Sequence, residues 1–157
     1  MSRYAATTSV PVDRSRSEIE STLRRYGATA FAYAWSLDKA LIQFETQGRR
    51  IRFVLPLPGR ESIEFCQTPT GRERSPVQAE QMWEQAQRQA WRALSLAIKA
   101  KLEAVEAGIA TFEDEFLAYT VLPDGSTAGE WIKPQIDSAY SSGQMPAMMP
   151  VLGPGPP

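Results

Sequence analysis

The sequence predicts an α+β domain: an N-terminal helix, an antiparallel meander of three to four strands, one long helix, two short C-terminal helices and a disordered Pro/Gly tail. Three observations predict it. Between Ala30 and Leu57 apolar residues recur at every second position in runs divided by turn residues. From Val77 to Ala107 no glycine or proline interrupts a helical apolar period. Residues 141–157, SSGQMPAMMPVLGPGPP, carry five prolines, three glycines and no charge, and so read as a flexible tail after a single domain over residues 1–140.

Each element has its own signals. TTSVPV in the lead suits an edge strand ended by Pro11. Ser15 and Glu18 have capping-box spacing, Ile19, Leu23 and Tyr26 share a helical face, and Gly27 stands where a helix closes. In ATAFAYAW, Phe31, Tyr33 and Trp35 alternate with Ala30, Ala32 and Ala34, which predicts an aromatic core face and a methyl-lined outer face. ALIQFETQGRRIRFVLPLP reads as two strands joined at TQGR, with Ile51, Phe53 and Leu55 inward and Arg50, Arg52 and Val54 outward. ESIEF suits a short further strand.

Ser75, Pro76 and Gln78 then open the long helix, a rod of about 48 Å. Its apolar stripe is Trp83, Ala90, Trp91, Leu94, Ala97, Ile98, Leu102 and Val105, with Arg88, Arg92 and Lys99 on the opposite side. TFEDEFLAY predicts a short helix with Phe112, Phe116 and Tyr119 inward. Thr127 and Glu130 open the last helix, in which Pro134 is placed to cause a kink. A rod this long exceeds what one small sheet can cover, so the sequence predicts a homo-oligomer, either a closed dimer or a head-to-tail ring.

Composition narrows the chemistry. The 157 residues are 43% hydrophobic, enough for one buried core. Cys66 is the only cysteine and there is no histidine, which removes an intramolecular disulfide, the usual zinc ligand sets and histidine-based nucleophilic catalysis. Glu113, Asp114 and Glu115 are consecutive in a helix and point about 100° apart, so they cannot converge on one ion. Glu64, Asp124 and Asp137 are isolated acids. No enzyme, cofactor or metal is expected. No segment has the apolar length of a membrane helix or a secretory h-region, which predicts a cytoplasmic protein without membrane contact.

Charge is segregated. Residues 1–101 hold 16 Lys and Arg against 10 Asp and Glu, whereas residues 102–157 hold 1 against 8. Two readings follow: the acidic helices neutralise the basic part, or the basic part meets an acidic partner. Under the second reading the candidate nucleic-acid-binding residues are Arg49, Arg50 and Arg52 of the hairpin, assisted by Arg60, then Arg72 and Arg74 in the loop GRERSP, and Arg88, Arg92 and Lys99 of the long helix. Arginine suits phosphate through its bidentate fork. Each position also has a plain reading as a solvated or edge-guarding charge. Phe31, Tyr33 and Trp35 likewise divide between core face and stacking platform for bases.

The runs SRSEIESTLRRYGA, GRRIRFVLPLP, AWRALSLAIKAKLEAVEAGI and LPDGSTAGEWIKPQI, across roughly residues 14–137, resemble a family of small uncharacterised proteins of bacteriophages and integrated mobile elements. That resemblance implies a bacterial host cytoplasm and a task in replication, recombination or interference with host defence; it assigns no residue a role. The order of a three-stranded meander followed by a long helix is also similar to the core of phage single-strand annealing proteins. The leading expectation is therefore an oligomeric protein that binds or anneals single-stranded DNA, and the alternative is a protein-binding module or inhibitor of a host defence system.

Overall fold

The computed structural model describes residues 5–145. In chain order the elements are α1 (Val12–Arg25), β1 (Ala30–Trp35), β2 (Lys39–Thr46), β3 (Arg49–Pro56), α2 (Ile63–Cys66), α3 (Pro76–Glu106), α4 (Phe112–Phe116) with a 3-10 turn over Leu117–Tyr119, and α5 (Ala128–Ser142). The predicted α+β order of helix, meander and long helix is the observed one.

The meander is antiparallel with strand order β1-β2-β3. Its two turns are short. Gln47 and Gly48 both take positive φ, 50° and 71°, the geometry that matches a two-residue turn to the twist of its strands. Register places Phe44 opposite both Phe31 and Ile51, and Gln43 opposite both Ala32 and Arg52. One face therefore carries Ala40, Ile42, Phe44, Ile51 and Phe53, all buried, and the other carries alanines, Gln43, Glu45, Arg50 and Arg52.

The buried face meets α1 through Ile19 and Leu23, α3 through Trp91, Leu94, Ile98 and Leu102, and α4 through Phe112 and Phe116. Phe116 is the hub. Its ring stacks on Phe112 at 4.7 Å and meets Phe44 and Phe53 edge-on at 6.0 and 6.3 Å, which satisfies the ring quadrupoles as well as burying area. α3 is held at three levels: by α2 near its start, by α1 in the middle and by α4 near its end. The Arg92 guanidinium of α3 donates to the Glu18 carboxylate of α1 and ties the two helices together.

Several expectations need correction. TTSVPV forms no strand; the helix begins at Val12 because Pro11, with φ fixed near −60°, takes the cap position. Ser15 consequently lies inside the helix, fully buried, and does not cap. ESIEF forms no strand: the sheet ends at Pro56, Ile63–Cys66 is the short helix α2, and Arg74 donates to the α2 carbonyls of Glu64 and Phe65. Tyr33 and Trp35 share the inner face but are exposed, because β1 is the edge of the sheet, where the Arg16 side chain of α1 lies over the Tyr33 ring without burying it. Ala97 is exposed and Trp83 half-buried, whereas Ser95 is buried in the α3 stripe. Ser141 and Ser142, assigned to the tail, complete α5. The remainder of the predicted tail from residue 146 lies outside the described residues.

The charge asymmetry is partly internal. Lys101 pairs with Glu115 at 3.1 Å, Arg52 with Glu130 at 3.5 Å and Arg25 with Glu103 at 3.8 Å, each joining the basic and acidic portions of the chain. The Tyr26 hydroxyl also donates to Glu103 at 2.7 Å, and this bond to a carboxylate holds the phenol above its ordinary pKa.

Candidate functional site

The eight basic residues expected at an interface do not assemble on one surface. Arg50 and Arg52 stand on the sheet face opposite α1 and α3. Arg50 donates twice to Glu45, at 2.9 and 3.0 Å, and Arg52 donates to the Gly125 carbonyl at 2.7 Å. Arg74 is spent on backbone carbonyls at the end of α2. Arg92 bridges to α1, and Arg88 binds the Gln85 side chain at 2.7 Å and lies 3.9 Å from Glu84. Among the described residues Arg49, Arg72 and Lys99 have no carboxylate partner, and they occupy three separate elements: the start of β3, the loop before α3 and the exposed side of α3.

A different site emerges on the inner side of the molecule. A cleft of about 1230 Å³ opens between the chain before α1, the β1–β2 turn, the segment after β3 and the first half of α3. It exceeds the usual volume of a small-molecule pocket, roughly 300–1000 Å³, and suits an extended ligand. Three of the four tryptophans reach it: Trp35, Trp83 and Trp91.

The walls are stitched by specific bonds. Trp83 Nε1 donates to the Pro58 carbonyl at 2.9 Å, which anchors the segment after β3 to α3. Gln85 Nε2 donates to the carbonyls of Ala6 and Thr8 at 3.1 and 2.9 Å and fastens the N-terminal lead to the same helix. The rim at the β1–β2 turn is ordered by Ser36, whose hydroxyl donates to Asp38 at 2.8 Å and keeps that carboxyl below its usual range. Leu37, at the tip, is 91% exposed.

Arginines interleave with the aromatics. The Arg60 guanidinium lies 4.4 Å from the centre of the Trp83 ring, and Arg16 lies 4.7 Å from that of Tyr33 and 5.7 Å from that of Trp91. Arg88 completes the set. Their acidic neighbours are local: Asp13 for Arg16, Glu80 at 2.8 Å for Arg60 and Glu84 for Arg88. The Arg60–Glu80 pair is exposed and worth at most about 1 kcal/mol, so a phosphate can displace its carboxylate at modest cost, whereas Arg16 and Arg88 are half-buried. Trp35 is 70% exposed at the mouth and presents an open ring face.

The sequence reading left Trp35 between a core face and a base-stacking platform and Trp83 in the apolar stripe of the long helix, and did not bring the two together in a cleft. The usable signal was topological: the first strand of a three-stranded meander is an edge, and its outermost aromatic has no neighbour strand to shield it. Among the described residues no helix is long and apolar enough to cross a membrane, and no three potential metal ligands gather. Comparison with models of protein families, with curated proteins and with solved structures finds no match to this chain.

Proposed function

We propose that this protein binds single-stranded nucleic acid, with bases entering the tryptophan-lined cleft and phosphates engaged by Arg16, Arg60 and Arg88. The observation that carries the reading is the guanidinium held against the Trp83 ring beside the exposed Trp35. Stacking surfaces alternating with arginines are what sequence-tolerant binding of unpaired bases requires. Lys99 and Arg72, without carboxylate partners among the described residues, add longer-range attraction. Arg49 lies at the far end of the sheet from the cleft. A role in phage recombination by strand annealing fits this reading and the resemblance of the sequence to phage and mobile-element proteins.

Titration of the protein with a labelled oligothymidylate over a series of salt concentrations tests it. Binding is expected to quench tryptophan emission and to weaken steeply with salt, since each neutralised phosphate releases counterion. Trp35→Ala should lower affinity by roughly 5- to 150-fold, the worth of one stacked base. Arg50→Gln, on the opposite face, should change it little. Absence of binding at low salt defeats the proposal. A second reading, a protein-binding module acting on a host defence system, is favoured by the exposed Leu37 at the cleft rim; binding of a protein with no response to oligonucleotide would support it instead.

A further inference from the structure

The two edges of the sheet are treated differently. On the β3 side Val121 N–H donates to the Arg50 carbonyl at 2.8 Å, Ile51 bridges Thr120, and Pro56 offers no N–H. On the β1 side no strand or bridge is paired among the described residues. β1 reads AFAYAW, six residues without a charge, proline or glycine, and so without the devices that normally guard an edge.

The hydrogen-bond phase of this edge can be derived. Ser36 N–H donates to the Lys39 carbonyl at 2.8 Å, which makes these residues a hydrogen-bonded pair. In an antiparallel ladder such pairs alternate with non-bonded ones. With Ala34 opposite Leu41 and Ala32 opposite Gln43, the alanines bond to β2. Phe31, Tyr33 and Trp35 therefore direct their N–H and C=O groups outward. Their side chains lie on the inner face, where Tyr33 is 47% exposed.

We propose that β1 pairs antiparallel with β1 of a second copy, about a two-fold axis at Tyr33, joining two three-stranded sheets into one. This register uses every outward group. Tyr33 faces the same residue of the other copy and Phe31 faces Trp35 on each side, giving up to about six main-chain hydrogen bonds. The aromatics left exposed on the inner face become cross-strand neighbours. On the outer face Ala32 meets Ala34, so neither bulk nor like charge opposes approach. Arg16, which lies over Tyr33, reaches the axis already paired with Asp13. A second copy fits better than a foreign strand because the edge is complementary to itself in both hydrogen-bond phase and side-chain size.

Light scattering and sedimentation across rising protein concentration provide the first test, with a dimer expected. The variant A32K/A34K adds charge on the exposed outer face, at residues whose own backbone groups bond to β2. It should be a monomer with an unchanged circular dichroism spectrum. A second variant, A32C/A34C in a C66S background, should give a disulfide-linked dimer on mild oxidation, because residue 32 faces residue 34 of the other copy in a non-hydrogen-bonded pair. A monomer at high micromolar concentration overturns the proposal, as does a dimer that survives A32K/A34K or one that fails to cross-link. Nucleic-acid binding is read in a separate titration with Arg60→Gln, which lies in the cleft and outside β1, so either proposal can fail alone.

Discussion

A Cβ added at Gly129 would lie 2.8 Å from the main-chain oxygen of Ala118, so α5 packs against the 3-10 turn through a contact only glycine permits. Gly129 is the one buried residue of α5. Gly129→Ala is therefore expected to destabilise by about 1–3 kcal/mol, because a backbone atom cannot move aside as a flexible side chain would. Thermal melting would show the loss, and limited proteolysis should cut first between residues 120 and 128.

Ser15 predicts the opposite sign. Its hydroxyl is fully buried in α1 and is the one buried side-chain polar atom without a hydrogen-bond partner among the described residues. An unsatisfied buried group costs roughly 1–3 kcal/mol. Ser15→Ala should thus stabilise the fold by about 1 kcal/mol, aided by the better helix propensity of alanine. A fall in melting temperature would refute this.

The start of α5 should respond to acid. The Glu130 carboxylate accepts from Thr127 N–H at 2.6 Å and Oγ1–H at 3.1 Å, and these bonds, with the nearby Arg52, hold its pKa below the ordinary glutamate value. A carboxyl depressed in the folded state contributes stability above its unfolded pKa and loses it as pH falls through the folded one. Helix content and melting temperature should therefore drop on acidification below about pH 4, and Glu130→Gln should flatten that part of the profile. Thr127→Ala, which removes the reciprocal cap, should cost about 1 kcal/mol at neutral pH.

Arg50 and Arg52 are two residues apart on one strand, yet their replacement by glutamine should differ. Arg50 pairs only with exposed Glu45 across the hairpin, so Arg50→Gln should move stability by less than about 0.5 kcal/mol. Arg52 joins β3 to the Gly125 carbonyl and to Glu130. Arg52→Gln should cost about 1 kcal/mol and speed hydrogen exchange in the turn at residues 122–126. Equal effects from the two would contradict the assignment.

Local chemistry was largely legible where one chain segment decides the outcome, the Ser15–Glu18 cap excepted, because Pro11 starts the helix a turn earlier. The Ser75–Gln78 and Thr127–Glu130 caps, the Gly48 turn and the alternation through β3 all follow from neighbours in sequence. What the sequence hid depends on partners distant along the chain. Strict alternation in β1 shows which residues share a face, but not that the sheet edge leaves Tyr33 and Trp35 exposed. ESIEF has strand-like spacing, and only Arg74, reaching back from the next loop, reveals that its carbonyls need a helical end. Arginines that look alike in sequence divide into bridge, cap and cleft wall only once Glu18, Gly125 and Trp83 are in place.

The unequal treatment of the sheet edges limits how this chain can aggregate. A sheet with two open edges has a valence of two and can add copies without end, as fibrils do. Here Pro56 and the Thr120–Val121 segment obstruct one side, leaving a valence of one. Edge-to-edge growth then terminates at the first partner. A substitution that frees Val121 from Arg50 would thus be hazardous beyond its effect on stability, because it restores the second site and turns a self-limiting contact into a propagating one.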